Sequence, residues 1–383
     1  MQILNSGQTP TSELKLKLIQ ISASLEKRLG GPTAVVSQTL TYLKQHFEHK
    51  LLVFGDSEIA DEGTTIIPSI NHNRYGFPKA LFGKLARKEI ASADILLIHG
   101  YYLFSTLFSV AVSKTNKIFL MPHGSLESYQ ERKGRLRKYL FRLAMKVALG
   151  NRDIRFIVAS DKEKESISIL FPRVQIDIVG LGISETIANG RNVLDGKHEP
   201  VRLLCFSRIS KKKRIDLCIR ALAELNKDGI RFLLTIVGTG DPILVDGLKS
   251  LTESMNLKDQ VVFRGHVADE VEIRQIFEDS DIFLLPSENE NFAIAVSESI
   301  GFSVPVIVSK FVAMHDFVDE YSTGLTLENL RVADIVGSVL TVEDNYNWFR
   351  DNCEKFRHLL SWEDISKNWI KVLLDSGVAT DAE

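Results

Sequence analysis

Glu290, Glu298, Arg208, Lys213 and His123 are the side chains whose types and spacing can do chemistry in this sequence. The two glutamates sit in Pro286-Ser287-Glu288-Asn289-Glu290-Asn291-Phe292-Ala293-Ile294-Ala295-Val296-Ser297-Glu298. An apolar run ends at Leu285, a polar loop follows, and helical spacing begins near Phe292. Glu290 then precedes the helix and Glu298 lies two turns along it, about 10 Å apart on one axis. Two such carboxylates suit an extended ligand with hydroxyls at both ends, and the helix N-terminus between them favours an anion. Sugar hydroxyls, a diphosphate and ribose hydroxyls have that layout. Spacing alone accounts equally well for an acidic helix start and one exposed glutamate.

The second cluster is Arg208-Ile209-Ser210-Lys211-Lys212-Lys213-Arg214-Ile215, directly after an apolar run. Arg208 as a planar fork and Lys213 as a point charge can bracket a diphosphate and neutralise it as it leaves, without a metal. A bare charge run is more commonly a solvated turn. His123 stands in Met121-Pro122-His123-Gly124-Ser125, again after an apolar run, where an imidazole can accept or orient a proton near neutral pH.

Weaker signals resolve quickly. Asp279-Ser280-Asp281 sits at a helix end before an apolar run and reads as structural. Gly238-Thr239-Gly240 lacks the third glycine of a dinucleotide fingerprint, because Ile243 stands there. His46-Phe47-Glu48-His49 has the wrong spacing for a zinc helix. No GxSxG or P-loop is present.

Strands separated by amphipathic helices must position these groups. Leu16–Ile21, Leu51–Phe54, Ile95–Ile98 and Ile118–Met121 read as one set of strands. Arg202–Phe206, Phe232–Val237, Val261–Phe263, Ile282–Leu285 and Val304–Val308 read as a second. Continuous apolar runs of this length indicate parallel sheets covered on both faces. The polar stretch Glu185–Pro200 reads as the linker. The expected fold class is α/β, with two doubly wound Rossmann-like domains, 1–190 and 191–360, facing across a cleft. A terminal helix within 361–383 is expected to pack back toward the first domain. Ligands in such sheets bind beyond the carboxyl ends of the strands.

The 383 residues suffice for two or three domains, and 44% hydrophobic with 25% charged residues is ordinary for a globular chain. Lys plus Arg (47) against Asp plus Glu (49) leaves a net charge of −2, which gives no reason to expect nucleic acid as a partner. Cys205, Cys218 and Cys353 form no CxxC, so a reducing compartment fits. The polar N-terminus shows no secretory signal and no apolar run reaches the ~18 residues of a membrane span, so a cytoplasmic location is expected. Arg132, Lys133, Arg135, Arg137, Lys138, Arg142 and Lys146 crowd one segment in which Leu136, Leu140, Leu143 and Val147 recur at helical spacing. This basic amphipathic helix around 132–148 suits either an anionic membrane face or, more ordinarily, a helix whose apolar stripe faces the core.

Taken together, these segments resemble the family-4 glycosyltransferases of the GT-B fold. The resemblance rests on Gly30-Gly31-Pro32 before a helix, Arg208 and Lys213 five apart, Glu290 and Glu298 with seven residues between, and Val304-Pro305-Val306-Ile307 after the helix. It implies a retaining, metal-independent, hexosyltransferase-type enzyme that needs no cofactor and uses a nucleotide-diphosphate sugar as donor. The acceptor would be a saccharide or lipid-linked hydroxyl, in surface polysaccharide or glycolipid assembly. By the same resemblance, Glu298 holds the ribose, Glu290 holds the transferred sugar, and Arg208 and Lys213 hold the diphosphate with backbone N–H groups of Phe292, Ala293 and Ile294. Gly30 and Gly31 let the first domain's backbone approach, Gly238 and Asn291 line the donor pocket, and His123 stands near the sugar and the attacking hydroxyl.

The sequence departs from the family pattern at several glycines. Asn291 and Ala293 replace both glycines of Glu-Gly-Phe-Gly, Ser303 and Arg214 replace two others, and Gly180-Leu181-Gly182 replaces Pro-Asn-Gly. A non-catalytic GT-B subunit and a GT-B epimerase or phosphorylase remain the alternative readings.

Overall fold

Side-chain alternation along each strand sets up the core. In β1 (Lys17–Ser22), Leu18 joins one apolar cluster while Ile19 and Ile21 join another, and all are fully buried. A strand buried on both faces requires helices on both faces, so the sheet is parallel and covered. The computed structural model describes residues 15–25, 31–55, 63–70, 77–78, 80–127, 134–184, 187, 196–227, 229 and 231–375.

The first sheet comprises β1, β2 (Glu48–Val53), β3 (Thr64–Ile66), β6 (Ile95–His99), β7 (Ile118–Met121), β8 (Ile154–Val158) and β9 (Gln175–Ile178). Its order is β3-β2-β1-β6-β7-β8-β9, with every pairing parallel. Ser69–Ile70 (β4) and Phe77–Pro78 (β5) pair separately as an antiparallel hairpin. The second sheet contains β10 (Val201–Phe206), β11 (Phe232–Val237), β12 (Val261–Gly265), β13 (Ile282–Leu285), β14 (Val306–Ser309) and β15 (Gly324–Leu327). Its order is β12-β11-β10-β13-β14-β15, also parallel throughout. These are two doubly wound units of the GT-B type.

Apolar runs alone miss β3, β8, β9 and β15. β8 carries Arg155, which pairs with Asp177 of β9 at 3.0 Å, so the sheet edge is partly ionic and its sequence is not a clean apolar run. Residues 185–186 and 188–195 of the linker, Gly30, Arg132 and Lys133 lie outside the described residues.

The chain crosses back at its end. The helix Trp362–Leu374 seats Trp362, Trp369 and Leu373 in the same cluster as Leu18, Val35 and Leu43 of the first domain. Gly182 permits this crossing, since a Cβ there would stand 2.8 Å from the Trp362 backbone nitrogen. Ser361 caps the helix by accepting from the Asp364 N–H.

Candidate active site

Each chemically useful group follows the carboxyl end of a strand. His123 follows β7, Ser160 and Lys162 follow β8, Arg208 follows β10, Ser287 to Glu290 follow β13, and Phe311 follows β14. Parallel pairing places all these loops on the same edge of their sheets, and the two edges meet.

Glu290 is the most heavily bonded of the predicted residues. Its Oε1 accepts from Lys213 Nζ at 2.8 Å, Lys212 Nζ at 3.1 Å and Ser287 Oγ at 3.1 Å. Burial pushes its carboxyl up, but the two lysines outweigh burial and the net shift is downward, so it is ionised at neutral pH. Lys213 is buried; desolvation lowers its pKa and Glu290 opposes that. Glu290 is held in a loop bridged to Val312, with its N–H donating to Phe311 O at 3.1 Å. The expected helix start near Phe292 is corrected: the helix runs Ile294–Gly301. Ala293 at its N-cap has φ 67°, and a left-handed residue cannot be an α-helical turn.

Glu298 lies on that helix and contrasts with Glu290. It makes no hydrogen bond or ion pair among the described residues, and burial pushes its carboxyl up to about 7. The helix N-terminus has no side-chain cap, so its first-turn N–H groups face the loop without a side-chain acceptor. Arg208 is exposed, and its guanidinium has no ionic or hydrogen-bonded partner among the described residues. It lies close enough to Lys213 for their charges to repel. Gly238 positions this corner: with φ 134°, a Cβ there would stand 2.0 Å from Ser207 O, beside Arg208. Its glycine is therefore demanded by backbone approach between the β10 and β11 ends.

The first domain closes the other side. A Cβ on Gly31 would lie 3.7 Å from Ile294 Cδ1, and one on Gly124 would lie 3.5 Å from Asn291 Cβ. Asn291 therefore faces the His123 loop, and its Oδ1 accepts from Ser160 Oγ at 3.3 Å. Phe292 packs with apolar groups of both domains. His123 has φ 52°, its Nε2 lies 2.8 Å from His99 Nδ1, and burial lowers its pKa to about 4.

Several groups at the junction had no separate signal in the sequence. Lys162 donates to Glu290 O at 3.1 Å, to Phe311 O at 2.7 Å and to Asn289 Oδ1. Asn289 Nδ2 donates to Glu127 Oε2 at 2.6 Å. The Gly124 N–H donates to Glu163 Oε1 at 2.7 Å, which anchors the His123 loop. A lysine in an amphipathic helix and glutamates in turns look like solvated charges until the domains are brought together. Asp281 accepts from the Arg202 N–H at 2.7 Å and the His198 N–H at 3.0 Å, which makes the Asp279-Ser280-Asp281 run a strand-end tie.

Residues 187–357 match the family model described as glycosyl transferases group 1. These residues are similar to that family over somewhat less than half of the chain. A stretch of 159 residues is 30% identical to the amylovoran biosynthesis glycosyltransferase AmsK of Erwinia amylovora, covering 40% of this chain and 38% of that one. The chain thus spans about two fifths of the length of that relative. The pneumococcal O-GlcNAc transferase GtfA, solved with UDP and GlcNAc, superposes with a TM-score of 0.71 at 13% identity over 95% of this chain and 100% of that one. Anabaena HepE, solved with UDP-glucose, gives 0.69 at 15% identity over 93% and 98%. At these identities the two structures show the fold alone, the two-domain GT-B arrangement.

Proposed function

We propose that this protein is a retaining glycosyltransferase that moves a sugar from a nucleotide-diphosphate donor to an acceptor hydroxyl. The observation that carries the reading is the contrast at the edge of the second sheet. One glutamate is ionised and clamped by lysines, one is pushed up by burial to about 7 and has no partner among the described residues, and an arginine with an unpaired guanidinium and an uncapped helix stand with them. Glu298 then accepts the ribose hydroxyls, and Glu290 accepts hydroxyls of the sugar. Arg208 forks the diphosphate, and Lys213 adds its charge as the leaving oxygens gain theirs. That cationic set replaces a divalent metal. The transition state is oxocarbenium-like, the acceptor attacks from the leaving-group face, and a leaving-phosphate oxygen takes its proton.

Isothermal calorimetry with UDP-, GDP- and ADP-sugars, in the presence of EDTA, tests this. Binding of one class that is lost in Glu298→Ala supports it, whereas no binding of any donor points to a non-catalytic subunit. Turnover that needs phosphate or water in place of an acceptor points to the phosphorylase or epimerase alternative.

The acceptor side of the reading rests on the helix Arg135–Leu149. Its apolar stripe does not face the core: Leu136 is 73%, Leu140 55%, Leu143 51% and Val147 76% exposed. Arg135, Arg137, Lys138 and Lys146 flank that stripe. An exposed apolar stripe between cations suits peripheral contact with an anionic bilayer at its cytoplasmic face, where a lipid-linked acceptor would be met. No helix among the described residues is long and apolar enough to cross a membrane. Assembly of surface polysaccharide or glycolipid is the setting this favours.

A further inference from the structure

Between Leu18 and Ile21, β1 is apolar except for Gln20, which is fully buried in the middle of the strand. A buried amide inside an otherwise apolar strand is costly unless it is bonded. Gln20 Nε2 lies 2.8 Å from Thr39 Oγ1 and 2.8 Å from His99 Nε2. His99 Nδ1 lies 2.8 Å from His123 Nε2, and the two ring planes are 16° apart. An unbroken chain of hydrogen bonds therefore runs from the helix Gly31–Leu43, through β1 and the end of β6, to the proposed acceptor-side histidine.

The direction of that chain is set at its far end. The Thr39 hydroxyl donates to Val35 O at 2.8 Å or Val36 O at 3.0 Å, so toward Gln20 it can only accept. Gln20 must then present its NH2 group, which spends one hydrogen on Thr39 and the other on His99 Nε2. Gln20 Oε1 has no partner, and the reversed amide would place two N–H donors where that oxygen now stands alone. His99 Nε2 is consequently bare, its Nδ1 carries the hydrogen, and His123 Nε2 accepts it. His123 must hold its own hydrogen on Nδ1, on the side of the ring away from His99. That nitrogen makes no hydrogen bond among the described residues and is open to solvent.

We propose that Gln20 and His99 are positioning residues that lock His123 into its Nδ1–H tautomer, so that His123 donates a hydrogen bond into the cleft and does not act there as a base. The role of that donor rests on the glycosyl-transfer reading; the tautomer itself does not. The donor would serve a sugar hydroxyl or the acceptor oxygen. Burial keeps both rings neutral near pH 7. Glu163 holds the Gly124 N–H next door, and Glu127 lies beyond it, so neither carboxylate pairs with the His123 ring.

Two-bond proton–nitrogen correlation spectra of the 15N-histidine-labelled full-length protein at pH 7, without any sugar, test the assignment. The expected result is a protonated Nδ1 and a bare Nε2 in both His99 and His123. An Nε2–H tautomer in His123 overturns the proposal. At a pH where the side-chain 13C shift shows the introduced carboxyl ionised, the variant Gln20→Glu presents a group that can only accept, so it should draw a hydrogen onto His99 Nε2 and reverse both rings. An unchanged His123 tautomer in a folded Gln20→Glu protein also overturns it. Once a donor is known, Gln20→Glu should lower kcat at least tenfold with donor KM within about twofold. Failure to find any donor defeats the glycosyl-transfer reading and leaves the spectroscopic result standing.

Discussion

Replacing Glu298 by Gln removes a carboxyl that the fold holds at a pKa of about 7 against an ordinary value of 4.5. Below pH 4.5 the acid is neutral in both the folded and the unfolded chain, and it costs nothing. Between 4.5 and about 7 the unfolded chain ionises while the folded chain keeps its proton, so wild-type stability falls as pH rises. Above about 7 both states are ionised and the full cost of the unpaired charge is present. At roughly 1.4 kcal/mol per pH unit the interval amounts to about 3 kcal/mol, and partial solvent access trims it to about 2–3 kcal/mol. Glutamine has the same shape and no charge, so Glu298→Gln should match wild type near pH 5 and exceed it by that amount near pH 8. Urea unfolding of the two proteins at pH 5, 6, 7 and 8 reads the difference directly. A gap that stays constant with pH would refute the reasoning, because the destabilisation would then not come from an ionising carboxyl. The same variant should lose the stabilisation of about 2.7 kcal/mol that a nucleoside diphosphate at a hundred times its Kd gives wild type.

Three other outcomes follow from the geometry. Ala293→Gly should stabilise the protein by about 0.5–1 kcal/mol, because relief of a left-handed alanine at φ 67° exceeds the entropy glycine adds to the unfolded chain; chemical denaturation measures it. Gly238→Ala should destabilise by more than about 2 kcal/mol and weaken donor binding, since a Cβ 2.0 Å from Ser207 O must displace the backbone beside Arg208. Lys162→Met should raise the donor Kd about tenfold by freeing the loop that carries Glu290. In a double-mutant cycle with Asn289→Ala, measured by calorimetry, the two losses should be non-additive, because Lys162 donates to the Asn289 side chain and to Glu290 O.

The strand-by-strand grammar and the chemical ends of the strands were readable in one dimension because their signals are local. A buried parallel strand must be apolar along its length, and ligand groups must follow its carboxyl end, so Leu285 leading to Glu290 and Phe206 leading to Arg208 could be placed without coordinates. The glycine departures were also visible, but their meaning was not. Ala293, Ser303 and Arg214 all take up positive φ (67°, 58° and 51°), so the backbone keeps the shape glycine would give it and the strain is absorbed by the surrounding packing. Asn291 has no such φ and instead reaches the first domain, which only the packed molecule reveals.

Sequence by itself determined the two parallel sheets, the order of the loops along them and the residue types offered at each loop, since each depends on neighbours a few positions away. Tertiary structure decided the charge state of those residues and which of them meet. Glu290 stays ionised because Lys212 and Lys213 fold onto it, whereas Glu298 has no such partner among the described residues and burial pushes its carboxyl up to about 7. His123 has its hydrogen directed by Gln20, more than a hundred residues earlier in the chain. Electrostatics and hydrogen bonding act through distance and solvent exclusion, and neither quantity exists until the chain has closed on itself.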